Sequence, residues 1–326
     1  MRPLQHWART CALTVASMLA LSATPSLGQS WPHRTVRIIV PIPPAAGTDI
    51  AARLFADGLA KRWSQAVIVE NRPGADGLIG TAAFAAMRDD HVLLFSPAAP
   101  VTVLPILHEK LPYDAMRDLV PIALATETFI AVAAATSTKI ESLAELVARA
   151  RSQPGKLNYF AAAGAFPLLF AGFAKSADID VVYVSYRDPS LAIQDLVEGR
   201  IHVVLSTLTS LLPHAESGKL KLLALTNHSR APVTPEVPSA IEAGYPAFAF
   251  DGVAGFFGPR ELTAERRDRI AADVRAITTD PVIVQRLTAL GQIGRGSTPA
   301  EFSTAIAEQR AKMAAIAKLI GLKPTQ

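Results

Sequence analysis

The sequence predicts an α/β protein with more than one domain, and three observations lead to this fold class. Short apolar runs rich in β-branched residues alternate with helical patterns along the chain, which is typical of sheets covered by helices. Helix start signals recur between these runs, as at Asp280 and in the capping boxes predicted for Ser142 with Glu145 and Thr298 with Glu301. The chain has 326 residues, half of them hydrophobic, so it can bury a large core and favours two domains over one.

Residues 1–28 have the pattern of a secretory signal peptide. Arg2 and Arg9 precede an apolar run over residues 11–21, and Ser26, Leu27 and Gly28 suit cleavage before Gln29. We therefore expect an exported protein from which this segment is removed. An uncleaved N-terminal anchor is the alternative, although the run is short for a membrane span.

Charge and cysteine content exclude several classes of function. The mature chain carries a net charge of +2, from 30 Lys and Arg against 28 Asp and Glu, and no basic stripe interleaved with aromatic residues, so we expect no nucleic-acid partner. Its single cysteine, Cys11, lies in the signal segment. The mature chain therefore has no disulfide, thiolate metal ligand or cysteine nucleophile. Its six histidines are scattered without metal-ligand spacing.

The first strand, turn and helix form a candidate anion site. The apolar strand of residues 36–40 ends at a turn of Pro, Ala and Gly, and a helix opened by Thr48 and Asp49 follows. Small turn residues let a ligand approach the backbone, and the first N–H groups of a helix have no partner within it. An ordinary connection is the alternative interpretation. The local pattern also favours Thr48 as a helix cap and Asp49 with Arg53 as a local ion pair.

Further elements follow in a regular order. Strands are predicted at residues 66–70, 92–95, 157–161, 181–186, 201–205 and 220–225, and residues 121–136 form one or two strands that cross between lobes. A second strand, turn and helix begins at residue 157, with its helix starting at Pro167 or Leu168. The run Gly74, Gly77, Gly80 lacks the G-x-G core of a dinucleotide fingerprint and predicts no nucleotide site.

Several motifs in one order resemble a known family. They are VRIIVPIPPAAGTDIAARL, VIVENRPGADGLIG, KLPYDAMRDLVPIA, QPGKLNY, GKLKLLALT and PEVPSAIEAGYP. These motifs are similar to those of the substrate-binding receptors of tripartite tricarboxylate transporters, the TctC- or Bug-type receptors, and they extend over essentially the whole mature chain.

The resemblance implies a two-lobed periplasmic-binding-protein architecture of type II, with a mixed sheet in each lobe and two crossovers. Lobe 1 is then residues 29–128 plus 250–326, and lobe 2 is residues 129–249. The resemblance also implies a monomer in the periplasm that captures a small carboxylate and passes it to a membrane permease. No cofactor, metal or catalytic residue is implied.

In the family, two strand-to-helix turns grip a ligand carboxylate through backbone amides and water. They match residues 43–49, here called the first turn, and residues 161–168, here called the second turn. The ligand-binding residues implied for this chain are Pro43, Pro44, Ala45, Ala46, Gly47, Thr48, Asp49, Ser96, Ala162, Ala163, Gly164, Ala165, Phe166, Tyr186 and Ser206.

This chain departs from the family pattern where specificity is set. The usual glycine pair of the first turn is Ala45 and Ala46, and the polar residues usual in the second turn are replaced by alanine, glycine and phenylalanine. Ser206 stands where aspartate is frequent. We therefore expect a ligand with one carboxylate and an apolar or aromatic body, because further charged groups would be buried without partners. A divergent member with altered or lost binding is the alternative.

Two other classes of function stay open at this stage. A sensor subunit for a membrane signalling protein would use the same cleft. A hydrolase is the second, although we find no G-x-S-x-G, H-E-x-x-H or phosphate-loop motif. Arg187, beside Tyr186, is either a cation for the ligand or a solvated surface residue.

Overall fold

A computed structural model describes residues 31–325 of the protein. Residues 31–34 belong to a separate N-terminal unit, and every helix and strand described below lies in the unit that begins at Thr35. The predicted signal peptide lies outside the described residues. Within residues 31–325, no helix has both the length and the apolar character needed to cross a membrane.

The first sheet has six strands. Three of them, β1 (Val36–Val40), β2 (Val67–Asn71) and β3 (Val92–Pro97), are parallel, with β1 in the middle. The other three, β4 (Leu119–Thr128), β10 (Gly252–Pro259) and β11 (Gln292–Gly294), extend the sheet by antiparallel pairing in the order β11–β4–β10–β3–β1–β2. Four of the five residues of β1 are fully buried, as expected for a parallel strand covered on both faces.

The second sheet has five strands in the order β7–β6–β8–β5–β9. They are β5 (Ile130–Ala135), β6 (Asn158–Ala161), β7 (Val182–Tyr183), β8 (Val203–Thr207) and β9 (Leu220–Leu225). β6 runs parallel to β7 and β8, whereas β5 is antiparallel to β8 and β9. Both sheets are therefore mixed, which confirms the predicted fold class.

Helices cover the sheets and connect their strands. The longer helices are α1 (Gly47–Trp63), α5 (Leu143–Ser152), α6 (Phe166–Ser176), α9 (Ala264–Thr278) and α11 (Pro299–Leu319). Between them lie α2 (Leu78–Ala85), α3 (Ala99–Thr102), α4 (Leu104–Leu107), α7 (Pro189–Val197), α8 (Leu208–Glu216) and α10 (Pro281–Ala289).

The chain passes between the two sheets twice. It leaves the first sheet at the end of β4 and enters β5 after one residue, Phe129, so the single apolar section predicted at residues 121–136 is two strands. The return path runs from β9 to β10. Phe129 is held on both sides, because its N–H donates to the Gly291 carbonyl over 3.1 Å and its carbonyl accepts from the Leu208 N–H over 2.8 Å.

The last helix packs on elements of both sheets. α11 contacts β4 of the first sheet and α6 beside the second sheet. Phe302 and Ile306, near its start, join the core that includes Ile39 and Leu94 of the first sheet. Met313, nearer its end, joins the core that surrounds β5 and α6.

Local signals predicted the starts of α5, α10 and α11, but some other features of the fold differ from the prediction. Thr298 and Glu301 form the expected capping box, whereas Glu145 reaches back to the Glu141 N–H instead of that of Ser142. The strand predicted at residues 181–186 is only the exposed two-residue edge strand β7. The three-residue strand β11 was not predicted, since it is set by tertiary pairing with β4.

Candidate functional site

The first turn leads into a helix whose N-terminus has no side-chain cap. α1 begins at Gly47, with Ala46 as N-cap residue, and no side chain accepts a hydrogen bond from its first turn. The prediction that Thr48 caps this helix is therefore wrong, because Thr48 already lies inside α1. By contrast, Ser142, Asp188, Thr263, Asp280 and Thr298 cap α5, α7, α9, α10 and α11. The N–H groups at the start of α1 are thus left to another acceptor.

The buried carboxylate of Asp49 stabilises the first turn through hydrogen bonds. Its carboxylate is 2% exposed and accepts hydrogen bonds from the Ala45 N–H, the Arg53 guanidinium and the Asn71 amide over 2.9, 3.1 and 2.7 Å. Burial disfavours the charged carboxylate, but the hydrogen bonds from Arg53, Asn71 and Ala45 outweigh it and lower its pKa. The predicted ion pair with Arg53 is confirmed, and the carboxylate holds the turn together.

The backbone of the first turn is strained at one alanine. Ala45 has φ of +65°, in the left-handed region that favours glycine. This is one of the two positions where the family usually has glycine. Alanine therefore keeps the left-handed backbone conformation here, but with conformational strain. The Asp49 carboxylate that accepts from the Ala45 N–H helps to hold it.

The glycine-rich segment after β2 supports the same turn. A Cβ added at Gly80 would lie 2.4 Å from the Arg72 carbonyl oxygen and 2.9 Å from Pro41 Cβ, and Gly77 has φ of +90°. The Asn71 amide also donates to the Ile42 carbonyl over 3.1 Å. These glycines therefore serve close packing behind the first turn.

The second turn repeats the plan on the other sheet. It follows β6, contains Gly164 with φ of +86°, and enters α6 at Phe166 with Ala165 as an N-cap residue that offers no side-chain cap. The Ala162 N–H is already bound to the Leu205 carbonyl over 2.9 Å, so the donors left for a ligand begin at Ala163. Phe166 is half-buried and packs against the core around α6, as phenylalanine side chains commonly do.

The remaining predicted residues have identifiable roles in the fold. The Ser96 hydroxyl is buried and donates to the Pro97 carbonyl over 2.8 Å, and Ser206 is buried in β8. The Tyr186 hydroxyl donates to Asp195 over 2.6 Å, and its ring lies edge-on to Phe160. Burial first, then the hydrogen bond and charge of Asp195, raise the Tyr186 pKa to about 12. Arg187 is exposed.

Each turn contacts a segment that belongs to the other sheet. A Cβ added at Gly47 would lie 3.4 Å from the Thr209 hydroxyl oxygen of α8. A Cβ added at Gly164 would lie 3.4 Å from Ala99 Cβ, in α3. The starts of α1 and α6 are therefore both at the junction of the two sheets.

One residue at this junction was missed by the sequence prediction. Gln292, in β11, is 1% exposed, and its Nε2 lies 2.9 Å from a Cβ added at Gly47. No residue within the described range 31–325 is hydrogen-bonded to either atom of its amide. No local signal marked Gln292, because it reaches the start of α1 only through the pairing of β11 with β4.

Two surface depressions lie elsewhere. One, of about 620 Å³, is lined by residues of α7 and α8, including Ile193, Gln194 and His214. The other, of about 270 Å³, lies beside α4 and Tyr113. Neither is lined by a residue of the first or second turn.

One cluster has the residue types of a metal site. The side chains of Asp89, Asp90 and His91 bring ligand-type atoms within 4.8 Å of one another. They are already engaged, since Asp90 pairs with both His91 and Arg266. We assign no metal to them.

Two mixed α/β sheets joined by two crossings, with an uncapped helix start from each sheet at their junction, define a two-lobed solute-binding protein. Residues 51–322 match the model of the tripartite tricarboxylate transporter family receptor. The protein belongs to this family. Its members are receptors and solute-binding proteins, not enzymes, so the hydrolase alternative is set aside.

The sequences of two relatives align with this chain over most of their length. A UPF0065 protein of Bordetella bronchiseptica is 31% identical over 321 residues, covering 98% of this chain and 95% of the relative. BugT of Bordetella pertussis is 28% identical over 305 residues, covering 92% and 94%. The solved structure of MatC from Rhodopseudomonas palustris, with bound malate, superposes with a TM-score of 0.77 at 27% identity, covering 88% of this chain and 99% of MatC.

Proposed function

We propose that this protein captures a small carboxylate between the first and second turns and delivers it to the permease of a tripartite tricarboxylate-type transporter. In this proposal the two sheets are the cores of the two lobes, residues 29–128 plus 250–326 and residues 129–249. The family relationship and the malate bound to MatC support a small carboxylate as the ligand class.

The observation that carries the proposal is the pair of helix starts without side-chain caps. Five other helices are capped by Ser, Thr or Asp, whereas α2, α3, α4 and α8 lack a side-chain cap as α1 and α6 do. α1 and α6 differ from these four because each directly follows one of the two turns, after Ala46 and Ala165. A carboxylate at such a start accepts hydrogen bonds from backbone N–H groups and interacts favourably with the helix dipole. Each charge-assisted hydrogen bond contributes about 1.5 to 3 kcal/mol. Closure of the lobes and burial of an apolar ligand body supply the rest of a micromolar affinity, about 8 kcal/mol.

The side chains of the two turns support a monocarboxylate with an apolar or aromatic body. The second turn offers only alanine, glycine, phenylalanine, proline and leucine side chains. In the first turn, the one carboxylate is bound to Arg53, Asn71 and the Ala45 N–H. Additional charged groups on the ligand would therefore be buried without matching donors, which is costly.

The role also implies a location and a partner. We propose that residues 1–28 direct export, that the mature protein works in the periplasm as a monomer, and that its protein partners are the membrane subunits of the transporter. A sensing role would use the same cleft. Transport is preferred because the family is one of transporter receptors.

Thermal-shift screening of the mature chain with mono-, di- and tricarboxylates tests the ligand class. At a hundredfold excess over its dissociation constant, a ligand stabilises the folded state by about 2.7 kcal/mol. We expect monocarboxylates with apolar or aromatic bodies to raise Tm most. Stabilisation by citrate or another tricarboxylate, with none by any monocarboxylate, would contradict the proposal.

A further inference from the structure

A buried side-chain amide lies beside the proposed carboxylate site without a partner. Gln292 is 1% exposed, and neither its Oε1 nor its Nε2 has a hydrogen-bond partner among residues 31–325. Buried amides are ordinarily paired, because removing their donors and acceptor from water without replacement is unfavourable. Such an exception in a binding protein points to a group that arrives from outside the chain.

The position of the amide identifies where that group would be. A Cβ added at Gly47 would come within 2.9 Å of Gln292 Nε2, so the amide lies directly against the first residue of α1. The same Cβ would lie 3.4 Å from Thr209 Oγ1, and the Thr209 hydroxyl donates to the Leu290 carbonyl. Gln292 therefore lies where the start of α1 meets the start of α8, at the junction of the two sheets.

The backbone around Gln292 holds it in this place. Gln292 pairs with Thr128, the last residue of β4, and the neighbouring Gly291 carbonyl accepts from the Phe129 N–H. Since Phe129 is the residue at which the chain crosses between the sheets, the amide is anchored at the crossing itself.

We infer that Gln292 is a specificity-determining residue that hydrogen-bonds a second, uncharged polar group of the bound acid. This inference rests on the proposed function. An amide presents donors at Nε2 and an acceptor at Oε1, so it matches a group that both donates and accepts, such as a hydroxyl or a carboxamide. A second carboxylate only accepts, and would leave the Oε1 acceptor without a donor. The ligand class is thus an acid with an apolar body and one neutral hydrogen-bonding substituent.

The expected selectivity is large enough to measure. A site built to hydrogen-bond a ligand hydroxyl disfavours the analogue that lacks it, because the buried polar group of the protein is then left unpaired. We expect a hydroxylated acid to bind at least tenfold more tightly than its unhydroxylated analogue. An aromatic acid fits the apolar side chains of the second turn and allows such pairs to be compared directly.

The test compares the wild-type mature chain with Gln292→Met, which keeps the length of the side chain and removes its polar atoms. Titration calorimetry would use matched pairs of acids, namely 4-hydroxybenzoate with benzoate, mandelate with phenylacetate, and 3-phenyllactate with 3-phenylpropionate. Gln153→Met, at an exposed position after α5, is the matched control and should behave as the wild type. In Gln292→Met, the preference for the hydroxylated member should fall to about one.

A second readout needs no ligand. Because the buried amide is unpaired, Gln292→Met should have a higher Tm than the wild type in ligand-free buffer, while Gln153→Met should leave Tm unchanged. A lower Tm for Gln292→Met would overturn the inference, since it would mean that the amide stabilises the fold. An unchanged preference for hydroxylated acids in Gln292→Met would also overturn it. Absence of binding by every acid to the wild type would instead contradict the proposed function, on which the inference depends.

Discussion

The side-chain amide of Asn71 donates to the Asp49 carboxylate over 2.7 Å and to the Ile42 carbonyl over 3.1 Å. Asn71 is the last residue of β2, and it binds the residue just before the first turn, Ile42, and the last residue of the turn, Asp49. One side chain therefore ties the end of the neighbouring strand to the turn that we propose for ligand binding.

Asn71→Ala should destabilise the protein and weaken carboxylate binding together. The substitution removes three hydrogen bonds, the third being accepted by Asn71 Oδ1 from the Arg53 guanidinium over 2.9 Å. It also leaves a buried carboxylate with fewer donors, which costs about 1 to 3 kcal/mol. Asn71→Asp should be worse at neutral pH, because it brings a second carboxylate against Asp49. In urea unfolding, the free energy of unfolding should be highest for the wild type, lower for Asn71→Ala and lowest for Asn71→Asp. Equal stability of Asn71→Ala and the wild type would show that the turn does not depend on this contact.

Ala45→Gly should stabilise the protein. Ala45 has φ of +65°, and an L-residue other than glycine in this region carries strain of about 1 to 2 kcal/mol. The greater freedom of glycine in the unfolded chain offsets part of this, so we expect a net gain of up to about 1 kcal/mol. Ala60→Gly, inside α1, is the control and should destabilise by about 1 kcal/mol, since glycine is unfavourable in a helix interior. A loss of stability in Ala45→Gly equal to that of the control would contradict the strained turn.

Arg295→Ala should cost more stability than removal of an exposed arginine. The Glu127 carboxylate is 3% exposed and accepts hydrogen bonds from Arg295 and from the Asn227 amide, next to the strands that cross between the sheets. Glu127 is buried but the Arg295 side chain is 48% exposed, so leaving the carboxylate with fewer donors should cost about 1 to 3 kcal/mol. Arg267→Ala, which breaks the surface pair with Asp268, should cost less than about 1 kcal/mol. Similar losses for both variants in chemical denaturation would contradict a supporting role at the crossing.

Acid should remove a contribution that Asp118 makes to stability. Its carboxylate accepts from the Arg117 guanidinium and from the Asp114 N–H, each over 2.8 Å, and these bonds lower its pKa from 3.8 to about 2. A carboxyl group whose pKa is lower in the folded state stabilises the fold above its unfolded pKa. This contribution is lost as the pH falls from about 4 to about 2.

The measurement is the free energy of unfolding against pH for the wild type and Asp118→Asn. The variant should be less stable at neutral pH and show a flatter pH dependence between about pH 4 and pH 2. Asp57→Asn, at an exposed position on α1, serves as the control and should follow the wild type. A parallel pH dependence for Asp118→Asn and the wild type would contradict the assignment.

Much of the fold could be predicted because its signals are local. The β-branched run of β1 and the proline that follows it, and the capping residues Thr298 and Glu301, act within a few residues of one another. The first turn was recognised for the same reason. Its cap was assigned wrongly, because a threonine near a helix start has the propensity of a cap whether it precedes the helix or, like Thr48, lies inside it.

The rest of the site depends on contacts between distant residues. Gln292 reaches Gly47 only because a strand of three residues pairs with the end of β4, and so short a strand has no pattern of its own. Asn71 likewise acts on a turn about 25 residues earlier through the parallel pairing of β1 and β2. Neither role leaves a periodic signal in the sequence.

Titration calorimetry of the mature chain with one apolar monocarboxylate and its primary amide shows whether a carboxylate is held between the two turns. The two ligands share shape and apolar surface and differ in the charged group that the uncapped starts of α1 and α6 would hold. We expect the acid to bind with one site per chain and the amide to bind at least tenfold more weakly. Equal affinity for acid and amide would contradict a carboxylate site between the two turns.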